Sequence, residues 1–170
     1  GGLMDATQLQ HRLDAAGVRH FTAREFLRLR RTHEIADLPD EYAGAAVRVL
    51  RMADRLREAY GAPVVCGNGY RPPGYNRLVG GARNSAHLRG AAVDLDPTDG
   101  RRAEFQQLAA RLWLDEPDAL AGLGVYSGGR IHLDVPHDGG SGRRFWGGMP
   151  GKWRARQVIA KARRIPLRQS

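Results

Sequence analysis

The stretch Gly69–Asp96, GYRPPGYNRLVGGARNSAHLRGAAVDLD, decides the reading of this chain. Within it, six residues separate the imidazole of His87 from the carboxylate of Asp94. Gly90 can take the positive φ that reverses the chain. Ala91–Leu95 is a short apolar run that suits a buried strand, so a turn feeding a strand carries Asp94 back beneath His87. Imidazole and carboxylate are both zinc ligands, and a catalytic zinc keeps three protein ligands and one position open to water. The third ligand is expected from a neighbouring strand. Ile131–Val135 supplies it: the segment alternates, with His132 and Asp134 on one face and Ile131, Leu133 and Val135 on the other.

Working outward, 170 residues suit one domain, residues 1–170, with a core of its own. The single cysteine, Cys66, lies in an apolar run and reads as a small buried hydrophobe, with no internal disulfide possible. Asp5 with Gln8, and Thr22 with Glu25, form helix-starting capping boxes, and Phe21 and Phe26 occupy the positions of a hydrophobic staple. Pro39 is read as opening a long helix in which Tyr42, Ala46, Val49, Leu50, Ala53, Leu56 and Tyr60 form the inner stripe until Gly61 ends it. A strand at Pro63–Gly67 follows. A helix is expected over Arg101–Trp113, with Phe105, Leu108 and Leu112 facing inward. Gly122–Tyr126 and Arg130–Val135 read as strands of a hairpin joined through Ser127–Gly129. The glycine-rich segment Pro136–Gly151, with Arg143-Arg144-Phe145-Trp146 inside it, suits a surface loop at the cleft rim more than a sheet element. Trp153–Ile165, within a basic segment 152–166, reads as a final amphipathic helix with Trp153, Ile159, Ala162 and Ile165 on one side. His11, His20 and His33 have no partner at ligand spacing and read as surface or capping histidines.

Six pieces in order, Phe21–Phe26, Gly69–Asn76, Val79–Ala82, Ser85–Asp94, Gly122–Tyr126 and Ile131–Asp134, resemble the zinc D-Ala-D-Ala peptidases. These are peptidoglycan-cleaving metallopeptidases that share a fold with hedgehog signalling domains. The resemblance covers roughly residues 20–146. It implies an α+β, hedgehog/DD-peptidase-like fold, a small antiparallel sheet carrying the zinc site with helices packed on it. It also implies one Zn2+ held by His87, Asp94 and His132. The implied reaction is hydrolysis of a peptide bond next to a D-amino acid in stem peptides or crosslinks, by a D,D-carboxypeptidase or an endopeptidase, a phage endolysin included.

By the same resemblance Arg71 faces the substrate carbonyl or carboxylate, and Ser85 stands where relatives hydrogen-bond ligand or substrate. Tyr70, Asn76 and Tyr126 are candidates for lining the site, or for packing and turns. The chain departs from the family at the general base. Many relatives carry a glutamate three residues before the last ligand or a histidine two before it, and here those positions are Gly129 and Arg130. Asp134 becomes the candidate, as base or as a brace on a ligand imidazole, with His137 in reserve. A catalytically silent wall-binding module of the same fold, and a nucleic-acid-binding protein with a structural zinc, stay open beside the peptidase.

The formal charge of +9 attracts polyanions. No recognised nucleic-acid motif accompanies it, so no specific nucleic acid is expected. Peptidoglycan peptide is the expected partner. The basic C-terminal helix either contacts an anionic wall polymer or a membrane surface, or docks its apolar side on the domain. No apolar stretch is long enough for a membrane span, and the N-terminus lacks the pattern of a signal peptide. The expectation is a monomer acting at the bacterial cell wall or periplasm, its leader absent or its release dependent on lysis.

Overall fold

Helix starts in the N-terminal third are set by side chains that satisfy the free N–H groups of the first turn. In the computed structural model, which describes residues 1–147 and 151–166, α1 (Ala6–Ala15) is capped by Asp5 and Gln8. Thr22 and Glu25 cap α2 (Ala23–Leu27) in the same reciprocal way. Phe21 and Phe26 are both buried, so the staple fixes the angle at which the chain enters α2. Two short strands, β1 (Leu3–Met4) and β2 (Leu38–Pro39), pair antiparallel and tie the N-terminus down.

The long helix begins later than the sequence suggested. Pro39 is extended and belongs to β2, a 3-10 turn occupies Asp40–Tyr42, and α3 runs Ala43–Tyr60. Its inner stripe is as expected: Ala46, Val49, Leu50 and Ala53 are fully buried, and Gly61 closes it in the left-handed conformation. β3 (Val64–Asn68) follows. The unforeseen helix α4 (Pro73–Leu78) then starts on a proline, whose missing N–H costs nothing at the first position.

The main sheet has five strands in the order β3-β4-β6-β5-β7. β4 (Ala92–Pro97), β5 (Gly122–Val125) and β6 (Ile131–Asp134) form its centre, with β6 antiparallel to both neighbours. β7 (Arg144–Gly147) corrects two expectations. The segment read as a surface loop enters the sheet, and it does so parallel to β5, so the sheet is mixed rather than antiparallel. Residues 148–150 of that segment lie outside the described residues.

One face of the sheet is wholly apolar. Val93, Leu95, Leu123, Val125, Ile131 and Leu133 have no exposed surface, and they join one buried cluster with α3 and α5 (Arg102–Asp115). The period of two thus sends the other side chains of the same strands to the opposite face. α6 (Gly151–Ala162) packs on α5 and β7 and buries Val158 and Ala162. Arg156, Lys161, Arg163 and Arg164 are exposed. The side chains of 151–155, and with them the expectation for Trp153, lie outside the described residues.

Candidate metal centre

The opposite face of the sheet carries the site, and the strand register sets it out in rows. One row reads Asn68, Asp94, His132, Gly124 and Trp146 across the five strands. The next reads Ala92, Asp134, Gly122 and Arg144. β4 therefore delivers Asp94 beside His132 through ladder hydrogen bonds. His87 arrives from a 3-10 turn, Ala86–Arg89, whose N-cap is Ser85 and whose last turn is closed by Gly90 at φ 61°. That positive φ returns the chain into β4 within two residues, which a side chain at Gly90 would resist.

His87, Asp94 and His132 each offer a ligand atom, and these atoms lie within 4.8 Å of one another. Their partners fix which atoms converge. His87 Nδ1 donates to the Gly69 carbonyl at 2.7 Å, which leaves Nε2 as the acceptor, 3.2 Å from Asp94 Oδ1. His132 Nε2 donates to Asp134 Oδ2 at 2.7 Å, which leaves Nδ1 as the acceptor, 3.3 Å from the same Asp94 oxygen. Asp94 Oδ2 is taken by the Asn68 amide at 3.1 Å. Three electron-pair donors thus face one another, an arrangement that needs a cation or a proton among them.

The protonation tendencies follow. Burial lowers the His87 pKa, against the pull of Asp94. His132 is also desolvated by burial, yet its bonds to Asp134 and Asp94 raise it. Asp94 is also penalised by burial, but the two imidazoles hold it well below the usual carboxylate range. A hydrogen-bonded partner behind each imidazole is the usual way a protein orients ligand histidines. Together these residues could hold one metal ion with a position left open towards the cleft.

The cleft above this floor has a volume of about 590 Å³. Arg71 lines it and is tethered through its backbone N–H to the His87 carbonyl at 3.0 Å. Its Nε is buried without a hydrogen-bond partner, and burial lowers its pKa. Ser85 also lines the cleft, with its Oγ accepting from the His87 N–H at 3.3 Å. Tyr126 lines it too, and its hydroxyl accepts from Trp146 Nε1 at 2.9 Å.

For Tyr70 and Asn76 the structure selects packing and turn roles over lining the site. Tyr70 is buried against Tyr42, ring centres 6.2 Å apart, and is a core aromatic. Asn76 is buried behind the wall, where its amide holds the Ala82 carbonyl at 3.0 Å. It shapes the loop that reaches the cleft and does not line the cleft itself. Asp134 has no exposed surface. Its Oδ1 accepts from the Gly122 N–H at 2.9 Å, and its Oδ2 accepts from His132 and from Arg144, each at 2.7 Å. This is the geometry of the brace. Asp134 borders the cleft, but both of its oxygens already accept hydrogen bonds and it has no exposed surface, which favours the brace over the base.

The sequence put Arg144 and Trp146 only in a rim loop and gave them no role, whereas in the structure they line the cleft as a wall of it. Both come from β7, and both lean across β5 to reach β6. The crossing is open only because β5 presents Gly122 and Gly124 there. A Cβ on Gly124 would stand 2.6 Å from the Trp146 indole, and one on Gly122 would meet Asp134 and stand 2.6 Å from Arg144 Nη2. Through this trough Trp146 packs on His132, ring centres 5.1 Å apart. Two glycines at alternate positions of an otherwise apolar strand signal a close approach on one face. That signal was present in the sequence.

The sheet face thus converges two imidazoles and a carboxylate, which could hold a metal ion, on the floor of an open cleft. The Peptidase M15 family model matches residues 19–134. The chain belongs to that family, the zinc D-Ala-D-Ala carboxypeptidase family of metallopeptidases. No match was found among curated proteins.

Proposed function

We propose that the chain is a zinc peptidase that hydrolyses a peptide bond next to a D-amino acid in peptidoglycan stem peptides or crosslinks, on a hedgehog/DD-peptidase-like scaffold. The observation that carries this reading is the convergence of His87 Nε2, Asp94 Oδ1 and His132 Nδ1, each backed by a partner that directs it inward. The donor set of two imidazole nitrogens and one carboxylate oxygen is that of a catalytic zinc site. Zinc, when bound, supplies Lewis acidity and lowers the pKa of water to about 7.

The chain's own groups do the rest. Arg71, whose side chain lines the cleft, would meet a substrate carbonyl or carboxylate through its guanidinium and stabilise charge developing on oxygen. Trp146 can only donate from its N–H, so the Tyr126 oxygen accepts from it and keeps its own O–H for a ligand. Asp134 and Arg144 hold His132 in one tautomer and orientation. The exposed basic side of α6, beside a buried apolar side, supports an anionic wall polymer as an accessory partner. The place of action is then the bacterial cell wall or periplasm.

Gly129 and Arg130, at the positions where many relatives carry their base, favour a second reading, a silent wall-binding module. Arg130 is committed to Asp96 at 3.0 Å. Mass analysis of muropeptides after treating purified peptidoglycan decides between the two. The peptidase releases terminal D-amino acid or opens crosslinks, and a chelator stops it. A wall-binding module leaves every muropeptide unchanged.

A further inference from the structure

A hydrolase of this class needs a group that takes a proton from the attacking water, and the cleft's titratable side chains can be taken one by one. His87, Asp94 and His132 have their free electron pairs turned to one another. Asp134 borders the cleft without exposed surface, and its oxygens are taken by Gly122, His132 and Arg144. Arg71, Arg130 and Arg144 are cations. Tyr126 is kept protonated, its pKa raised by burial. Among the described residues lining the cleft, His137 is what remains.

We infer that His137 is the general base of the site, acting through Nε2. Its Nδ1 lies 2.9 Å from the Val135 carbonyl, an acceptor only, so the proton of the neutral ring sits on Nδ1 and the electron pair on Nε2. The ring is half-buried and lines the same cleft as the three ligand residues.

The loop carrying His137 is held to the metal floor. Gly140 N–H closes a turn onto the His137 carbonyl at 3.1 Å. Arg144 Nη1 donates to the Ser141 and Gly142 carbonyls at 3.2 and 3.1 Å, while its Nη2 holds Asp134. One guanidinium thus links the brace of His132 to the loop of His137. Gly140 lies flat against the ring: a Cβ there would stand 2.6 Å from Cε1 and 2.7 Å from Nε2.

The inference rests on the peptidase reading, and the proton balance is simple. As the oxygen of water bonds to the scissile carbonyl carbon, Nε2 takes one of its protons. When the C–N bond breaks, the imidazolium returns that proton to the leaving nitrogen. One water is consumed, and an acid and an amine are released.

The test uses the zinc-loaded chain and a soluble stem peptide. His137→Gln is expected to lower kcat by about a hundredfold or more, the scale of a lost general base, with metal content and KM near wild type. Imidazole in the buffer is expected to restore part of the rate to His137→Ala. Gly140→Ala is expected to lower kcat in the same way by displacing the ring. Apart from turnover, nitrogen NMR of the metal-free chain is expected to report the Nδ1–H tautomer of His137. A full rate in His137→Gln, a loss of metal in parallel with rate, or an Nε2–H ring overturns the inference. A wild-type chain inert on every stem peptide and crosslink overturns the peptidase reading itself, and the base falls with it.

Discussion

The floor and the far wall of the cleft are built by different means. The floor is local: His87 and Asp94 stand on one turn and the strand it feeds, and Asp94 pairs with His132 in an antiparallel ladder. The wall is remote: Arg144 and Trp146 come from a parallel edge strand and reach the floor only across the two glycines of β5. The family match ends at Asp134, so it includes the whole floor and stops before the wall. The difference suggests a division of labour. The floor offers the three groups that could hold a metal, and the wall braces one of them and lines the cleft above it.

The largest effect expected belongs to the floor. His87→Ala or His132→Ala should remove stoichiometric zinc, measured by elemental analysis, and abolish hydrolysis, while the fold seen by circular dichroism persists. A chelator should do the same to the wild-type chain, with activity returning on addition of zinc. Full metal occupancy in either variant would show that the three converging atoms are not the ligand set.

Arg71 tests whether the near side of the cleft acts on substrate rather than on metal. Arg71→Ala should leave zinc in place and lower kcat/KM by about a hundredfold to a thousandfold, the scale of one lost donor to a developing oxyanion. Arg71→Lys should recover little, because an ammonium does not reproduce the planar fork. A normal rate in Arg71→Ala would mean that Arg71 borders the cleft without acting on substrate.

How far each region was legible follows from the range of the interactions that make it. His87, Asp94 and His132 could be read because a turn glycine, an apolar run and an alternating strand are patterns within ten residues, and the family resemblance carried the same residues. The capping boxes of α1 and α2 were legible for the same reason. The start of α3 was misplaced because Pro39 suits an extended strand as well as a first helical turn, and pairing with the N-terminus chose the strand. β7 was hidden because Arg144–Gly147 carries two glycine-rich flanks. Its strand character comes from docking on β5, with Phe145 packed on Trp113 at 5.4 Å between ring centres. Tyr70 and Asn76 were drawn toward the cleft by their place in the motif, whereas their side chains turn inward.

Asp134 is the joint between the two regions. Asp134→Asn keeps the shape but weakens the bonds to His132 and Arg144, so zinc affinity should fall by about tenfold to a hundredfold, as for other partners behind a ligand. At saturating zinc most of the rate should return. Were the residue instead the base, zinc affinity would be near normal and kcat would stay low at any zinc concentration. Competition with a chromogenic chelator, followed by rates at high zinc, separates the two.

The smallest effect is expected at the top of the wall, where Trp146→Phe separates stacking from hydrogen bonding. Phenylalanine keeps an aromatic ring over His132 but loses the N–H that bonds Tyr126 at 2.9 Å. A neutral hydrogen bond contributes about 0.5–1.5 kcal/mol net. Zinc content should therefore be unchanged, and kcat/KM should fall no more than about tenfold. The loss should appear in both kcat and KM if the freed Tyr126 hydroxyl no longer points one way. Tyr126→Phe removes that contact and also the O–H kept for a ligand, so its loss should be at least as large, and the double variant should lose little more than Tyr126→Phe alone. Additive losses would mean that Trp146 and Tyr126 act separately on the substrate. A loss of zinc in Trp146→Phe would mean that the indole supports His132 directly, and the division between floor and wall would have to be redrawn with Trp146 on the side of the floor.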